Sequence, residues 1–302
     1  MLRKILCAAL LLIVTACSPS LTPTPLPTAV PNQLSNQGSL AGLQVLLVQS
    51  VITVGQNRFA IGLMNNNDFL KNAAITLTFY DLTSKAGQSG QAYGTMPARY
   101  LEGPDGLAGI YAADITFPSA GSWGVAVTGK TADGRAIDQK VGFDVVQTST
   151  ELAVGQKPAS LKTPTAADVN QDLKKLTSAR TPEPGFYQLS LDQALTAGKA
   201  VVVQVSTPAF CSSRLCGPVY EVLRSVYPIY KDKLNFVQIE VYTDLPNPNL
   251  RNPQYAPIMG AWGLRSEPWT YLIDKNGVVY WRAEGLVTVD ELKDKIDMLL
   301  KS

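Results

Sequence analysis

Four cysteines and no histidine set the limits of the chemistry open to this 302-residue chain. The cysteines are Cys7, Cys17, Cys211 and Cys216. A thiolate is a nucleophile, a disulfide partner and a soft metal ligand, so each cysteine must be placed before any function is considered. The lack of histidine removes the commonest metal ligand and the commonest general base. It excludes a Ser-His-Asp or Cys-His catalytic site. The composition, 46% hydrophobic and 17% charged, is that of a folded protein. The length suggests about two domains.

The first residues dispose of two of the thiols. Arg3 and Lys4 form a basic n-region. The apolar run 5–14 that follows is too short to cross a bilayer core of roughly 30 Å as a helix. It ends in Val14-Thr15-Ala16-Cys17, which resembles the lipobox of bacterial lipoproteins. The resemblance implies a signal peptide at 1–16, a diacylglyceryl thioether on Cys17, and a mature chain anchored to the cell membrane through lipid and facing outside the cytoplasm. An ordinary secretory signal with an incidental cysteine is the alternative. On the lipoprotein reading Cys7 leaves with the signal and Cys17 carries lipid. Cys211 and Cys216 then remain as the mature protein's only thiols, in a compartment where disulfides persist. Formal net charge is +2, and loss of Arg3 and Lys4 brings it to zero, leaving no basic footprint for nucleic acid.

The elements that must position those thiols fall into two groups. Residues 17–41 are rich in Pro, Thr and Ser and read as a stalk. From 42 to 147 the pattern is β, with strands expected at 43–49, 57–64, 73–80, 109–117, 122–128 and 140–146. Alternation is clear at Ile75/Leu77/Phe79, Trp123/Val125/Val127 and Val141/Phe143/Val145. Turn residues separate the strands at Asn65-Asn66-Asn67-Asp68, Pro118-Ser119-Ala120-Gly121 and Ala132-Asp133-Gly134. The number and spacing point to an all-β antiparallel sandwich. The stretch from Gly109-Ile110-Tyr111 to Ser122-Trp123 resembles the closing strands of immunoglobulin-like domains of bacterial surface proteins, including the YtkA-like group. No catalytic constellation falls in this part, so a spacer or partner-binding role is the expectation for it.

Residues 148–183 are polar and proline-bearing and read as a linker. From 184 to 302, strand and helix alternate. Ser190-x-x-Gln193 caps a short helix, a buried strand covers 200–205, and Val219, Val222, Leu223, Val226 and Ile229 line one face of a longer helix. A strand at 234–241 follows, then two strands around the Lys275-Asn276-Gly277 turn and a last helix capped by Thr288-x-x-Glu291. This order implies a mixed α/β sheet with helices on both faces.

The segment 184–302 resembles the thioredoxin fold on three matches in order: Cys216-Gly217-Pro218 at a strand-to-helix turn, the run Trp262 to Thr270 around Pro268, and the 275–277 hairpin. The resemblance implies thiol–disulfide exchange with exported proteins or a membrane redox partner. The redox-active disulfide would be the only cofactor, and no metal is implied. It pairs Cys216 with Cys211, makes Pro268 the candidate cis-proline, and places Glu267 and Trp269 in the loop that meets substrate. Glu267 beside the dithiol would disfavour a thiolate. Cys216, at the helix start, is the expected low-pKa, attacking thiol and Cys211 the resolving one, with Arg214, Gly217 and Pro218 tuning the thiolate. The chain departs from the family in two ways. Four residues separate its cysteines instead of two, and Gln204 and Val205 stand where thioredoxins keep a buried aspartate.

Other readings of the pair stay open. A permanent disulfide would make this a non-catalytic surface-binding lipoprotein. Cu(I) handling by two thiolates is a further option. So is peroxiredoxin-like chemistry, since Thr207-Pro208-Ala209-Phe210-Cys211 faintly resembles that family's loop.

Overall fold

In the computed structural model of the chain, the described residues are 42–66, 68–103, 106, 109–211 and 215–302. The expected signal peptide, Cys17, the stalk and Arg214 lie outside them. Among the described residues no helix is long and apolar enough to cross a membrane.

The first half is a nearly closed, barrel-like antiparallel sheet. Its strands are β1 (Leu43–Leu47), β2 (Gly55–Asn65), β3 (Asp68–Phe69), β4 (Ala74–Asp81), β5 (Gly94–Glu102), β6 (Gly109–Phe117), β7 (Gly121–Lys130) and β8 (Ala136–Val145). A one-turn helix α1 (Lys85–Gln88) follows β4. The spatial order is β1-β2-β6-β5-β4-β7-β8, with β3 beside β2. Strand β5 pairs with β4 through residues 94–98 and with β6 through 99–102, so it turns the corner between two layers. On the opposite side Val146 exchanges backbone hydrogen bonds with Ile52 and Val54. Period-two alternation sends Ile75, Leu77 and Phe79 inward together with Trp123, Val125 and Val127. Edge-to-face pairs such as Phe59–Phe79 (centroids 5.0 Å) and Phe117–Trp123 (4.9 Å) fill the middle.

The second half is a four-stranded mixed sheet in the order β10-β9-β11-β12. Its strands are β9 (Val201–Ser206), β10 (Asn235–Glu240), β11 (Trp269–Ile273) and β12 (Val279–Glu284). Strands β9 and β10 are parallel, while β11 runs antiparallel to both β9 and β12. Helices α3 (Cys216–Tyr230) and α5 (Val289–Leu299) cover one face, packing Leu223, Val226, Leu292 and Ile296 on Val202, Phe236 and Leu272. Helices α2 (Leu191–Thr196) and α4 (Pro257–Ala261) cover the other, over Val203, Val205 and Tyr271. Because both faces are covered, every residue of β9 is buried, Gln204 and Ser206 included.

The connecting segment 148–183 has little regular structure, yet it is pinned along its length to the second half. Leu152 N–H donates to Trp262 O (2.9 Å), Gly155 and Gln156 bond both backbone groups of Val279, and Ala166 N–H donates to Tyr187 O (2.8 Å). Leu152, Ala166, Leu176 and Ala179 are buried. A segment read from composition as a linker is thus a packed strap.

The two halves also meet directly. Arg58 on β2 makes a bidentate pair with Glu291 on α5, Nε–Oε1 2.6 Å and NH2–Oε2 2.9 Å, and its NH2 also reaches Leu286 O at 2.8 Å. The two side chains are 4% and 7% exposed, so this is a buried pair. Around it Ala60, Leu101, Ile110 and Ala112 of the first sheet pack with Val219 and Leu286 of the second half.

Candidate functional site

Cys211 and Cys216 form a disulfide with Cα atoms 5.9 Å apart. Cys216 is the first residue of α3, a helix that follows directly from the loop after β9. Three local choices build this corner. Pro218 occupies the first turn, where a missing N–H removes no helical bond. Gly217 lets the chain pass close to the β9 loop, since a Cβ there would sit 3.3 Å from Pro208 O. The first helical hydrogen bond, Val219 N–H to Leu215 O (2.9 Å), closes behind them.

The two cysteines differ in exposure. Cys216 is fully buried, whereas Cys211 is partly exposed. The expectation that Cys216 attacks rested on its place at the helix start. The packing of α3 against both the sheet and the barrel buries Cys216 and leaves Cys211 the more exposed of the two.

Glu267 and Pro268 lie on the facing loop. The Glu267–Pro268 peptide is cis, as is Leu245–Pro246. The Glu267 carboxylate and both sulfurs lie within 4.8 Å of one another. Trp269 differs from the expectation of a substrate contact. It is 2% exposed, donates from Nε1 to Ser266 Oγ (3.1 Å), and carries the Arg282 guanidinium over its ring at 5.4 Å. It is a core residue that anchors the loop from beneath.

Two groups of residues were not legible from the sequence. The first is Glu284 at the end of β12. Its Oε1 accepts from Ser266 Oγ (2.6 Å), and its Oε2 accepts from Ser50 N–H (2.7 Å) and Ser50 Oγ (2.9 Å) in the β1–β2 loop. One carboxylate therefore ties the barrel to the loop that carries Glu267. Beside it, a Cβ on Gly285 would meet Val48 Cγ1 at 3.3 Å and Leu215 Cδ1 at 3.8 Å, which places barrel and disulfide loop in near contact.

The second group is a buried polar network beneath the disulfide loop. Gln204 Nε2 donates to Val219 O (2.9 Å), Gln238 Nε2 donates to Ser206 O (3.0 Å), and Tyr187 O–H donates to Gln238 Oε1 (2.7 Å). Glu240, at the end of β10, is 5% exposed and accepts from Ser178 N–H and Ser178 Oγ, both at 2.8 Å. Ser178 Oγ in turn accepts from Ala209 N–H (3.0 Å), two residues before Cys211. Burial pushes the Glu240 carboxyl above its ordinary range, and the Ser178 hydrogen bonds oppose that rise in part. A buried carboxylate thus exists here, on the strand beside the one where the thioredoxin resemblance places an aspartate.

The arrangement holds a disulfide at a helix N-terminus with one partly exposed cysteine, a carboxylate within 4.8 Å of both sulfurs, and a buried acid two hydrogen bonds from the loop. No family model and no curated protein matches the chain. Among solved structures, one described as a thiol:disulfide interchange protein DsbE from Chlorobium tepidum aligns at TM-score 0.35 and 16% identity, covering 50% of this chain and 99% of that one. CopC from Methylosinus trichosporium OB3b aligns at TM-score 0.24 and 16% identity, over 35% of this chain and 97% of that one. The PmoD soluble domain from Methylocystis aligns at TM-score 0.24 and 13% identity, over 34% and 90% respectively. Similarity at this level assigns the chain to no family.

Proposed function

We propose that this protein is a membrane-anchored thiol–disulfide exchange protein that works outside the cytoplasm through Cys211 and Cys216. In this reading 184–302 is a thioredoxin-like domain, 42–147 an immunoglobulin-like domain, and Cys17 the lipid anchor. Its partners are exported proteins or a membrane redox protein. The observation that carries the reading is the asymmetry of one disulfide at a helix N-terminus, with Cys211 partly exposed and Cys216 buried.

The chemistry follows from that asymmetry. A substrate thiolate attacks Cys211 Sγ, the Cys211–Cys216 bond breaks, and the electron pair leaves on Cys216. Free backbone N–H groups at the start of α3 stabilise that leaving thiolate. A second substrate thiolate then attacks the substrate sulfur of the mixed disulfide and releases Cys211. The substrate leaves oxidised and the protein reduced; the reverse sequence reduces a substrate disulfide.

Equilibration of the purified protein against glutathione buffers, with exchange followed on a model disulfide substrate, tests this. The expected potential lies above about −300 mV, within reach of thiol buffers. A Cys216→Ser variant should trap mixed disulfides through Cys211, and Cys211→Ser should trap none. A potential below that limit with no exchange would overturn the reading. It would favour instead a structural staple in a surface-binding protein, the alternative that the full burial of Cys216 supports. Incorporation of labelled fatty acid, lost in Cys17→Ala, tests the anchor separately.

A further inference from the structure

We propose that the reduced Cys211/Cys216 pair, together with Glu267, forms a binding site for a zinc-class divalent cation, with one coordination position left open. The three ligand atoms lie within 4.8 Å of one another, with the two sulfurs still joined. Zinc bonds of about 2.3 Å to sulfur and 2.0–2.2 Å to oxygen place tetrahedral ligands roughly 3.5–3.8 Å apart. Once the S–S bond is gone, rotation of the side chains suffices to reach that spacing. Four intervening residues also fall within the two to four typical of cysteine pairs on zinc.

Charge and ligand type select the cation. Two thiolates and a carboxylate crowd three negative charges into one corner, and a divalent ion offsets two of them. The thiolates exclude calcium and magnesium, which take oxygen ligands, while the carboxylate is a poor partner for Cu(I). Zinc accepts both donor types. The chain has no histidine to complete the set, so the fourth position falls to water or to a substrate group. Cys211 and Glu267 are both partly exposed, so an ion reaches the site from their side while Cys216 closes it from within. The loop bearing Glu267 is held through Ser266 and Glu284, which gives the carboxylate a fixed support.

Metal and disulfide exclude one another. Reduction by a phosphine and water yields the phosphine oxide and two thiols; the cation then displaces the two thiol protons and bonds to both sulfurs. Bound metal therefore holds the pair reduced. The inference needs only a reducible pair and stands apart from the exchange reading.

The test uses the full chain in detergent, reduced with a phosphine and titrated with Zn2+ and with Co2+ as a spectroscopic substitute. The expected result is one ion per chain, thiolate-to-cobalt charge-transfer bands, and release of close to two protons. Cys211→Ser should abolish the bands. Glu267→Gln should keep them but weaken binding by at least about tenfold, since even outer-shell losses typically cost about 10–100-fold. Equal binding by the oxidised protein, absence of the bands in the reduced wild type, or unchanged affinity in Glu267→Gln would overturn the proposal. Exchange with glutathione in the presence of a chelator is scored separately, so either reading can fail alone.

Discussion

Replacement of Arg58 by methionine removes one partner of the buried pair that joins the two sheets and leaves the other without a counter-charge. Glu291 would remain 7% exposed with two oxygens that had accepted at 2.6 and 2.9 Å, and Leu286 O would lose its donor at 2.8 Å. Breaking a buried pair from one side costs about 3–5 kcal/mol. At about 2–4 °C per kcal/mol for a chain of this size class, the expected fall in Tm is about 6–20 °C. Glu291→Leu alone should fall in the same range, because it strands the guanidinium instead. The double variant should recover most of the loss, since apolar replacement of both members of a buried pair is often neutral. The assay is calorimetric unfolding of all four proteins under one buffer condition. One cooperative transition is expected, because the pair, the apolar cluster around Leu286 and the pinned strap all couple the two sheets. A shift under about 3 °C in both single variants, or two separate transitions in the wild type, would refute the reasoning that these contacts make one folding unit.

Other outcomes follow from single positions. Glu240 holds its proton to higher pH in the folded chain than its ordinary value of 4.5. Between those two values the folded state binds more protons than the unfolded one, so this group's contribution to stability declines as pH rises through that window. Relative to Glu240→Gln, the wild type should therefore lose stability from below pH 4.5 towards neutrality; parallel stability curves for the two proteins would disprove this. Gly263→Ala should destabilise strongly, because φ is +66° and the new Cβ would lie 2.0 Å from Thr150 O. The backbone conformation alone costs about 1–2 kcal/mol, and the clash adds to it by lifting the strap away. A Tm within 2 °C of the wild type would show that the strap is not held as described.

Legibility followed the range of the interactions. Strand alternation at Ile75/Leu77/Phe79 is local, and the observed burial follows it. The Thr288 cap, donated to by Glu291 N–H at 3.3 Å, is equally local, as is the 275–277 turn with Gly277 at φ +74°. Strand β5 escaped because Pro97 sits in its middle and, Leu101 apart, its side chains alternate between exposed and half-buried. The proline is tolerated because residues 94–98 pair on one side only. The strap escaped because the contacts that pin it reach distant partners, as Leu152 does at Trp262, so no period marks it. At the site, the spacing of Cys211 and Cys216 was readable, but which sulfur faces solvent depends on how α3 packs. Glu240 and Ser178 are 62 residues apart, and nothing in either neighbourhood announces the pair. Trp269 looked available beside a proline, yet it is a buried member of β11.

The pinned strap has a geometric consequence. A flexible connection would let the disulfide sample many directions relative to the barrel, and partners could come from any of them. With 148–183 bonded down and Glu284 gripping Ser50, the heading of Cys211 is set by the heading of Gly42 at the start of the barrel. Whatever orients that residue therefore orients Cys211, so the barrel acts as a fixed mount for the disulfide.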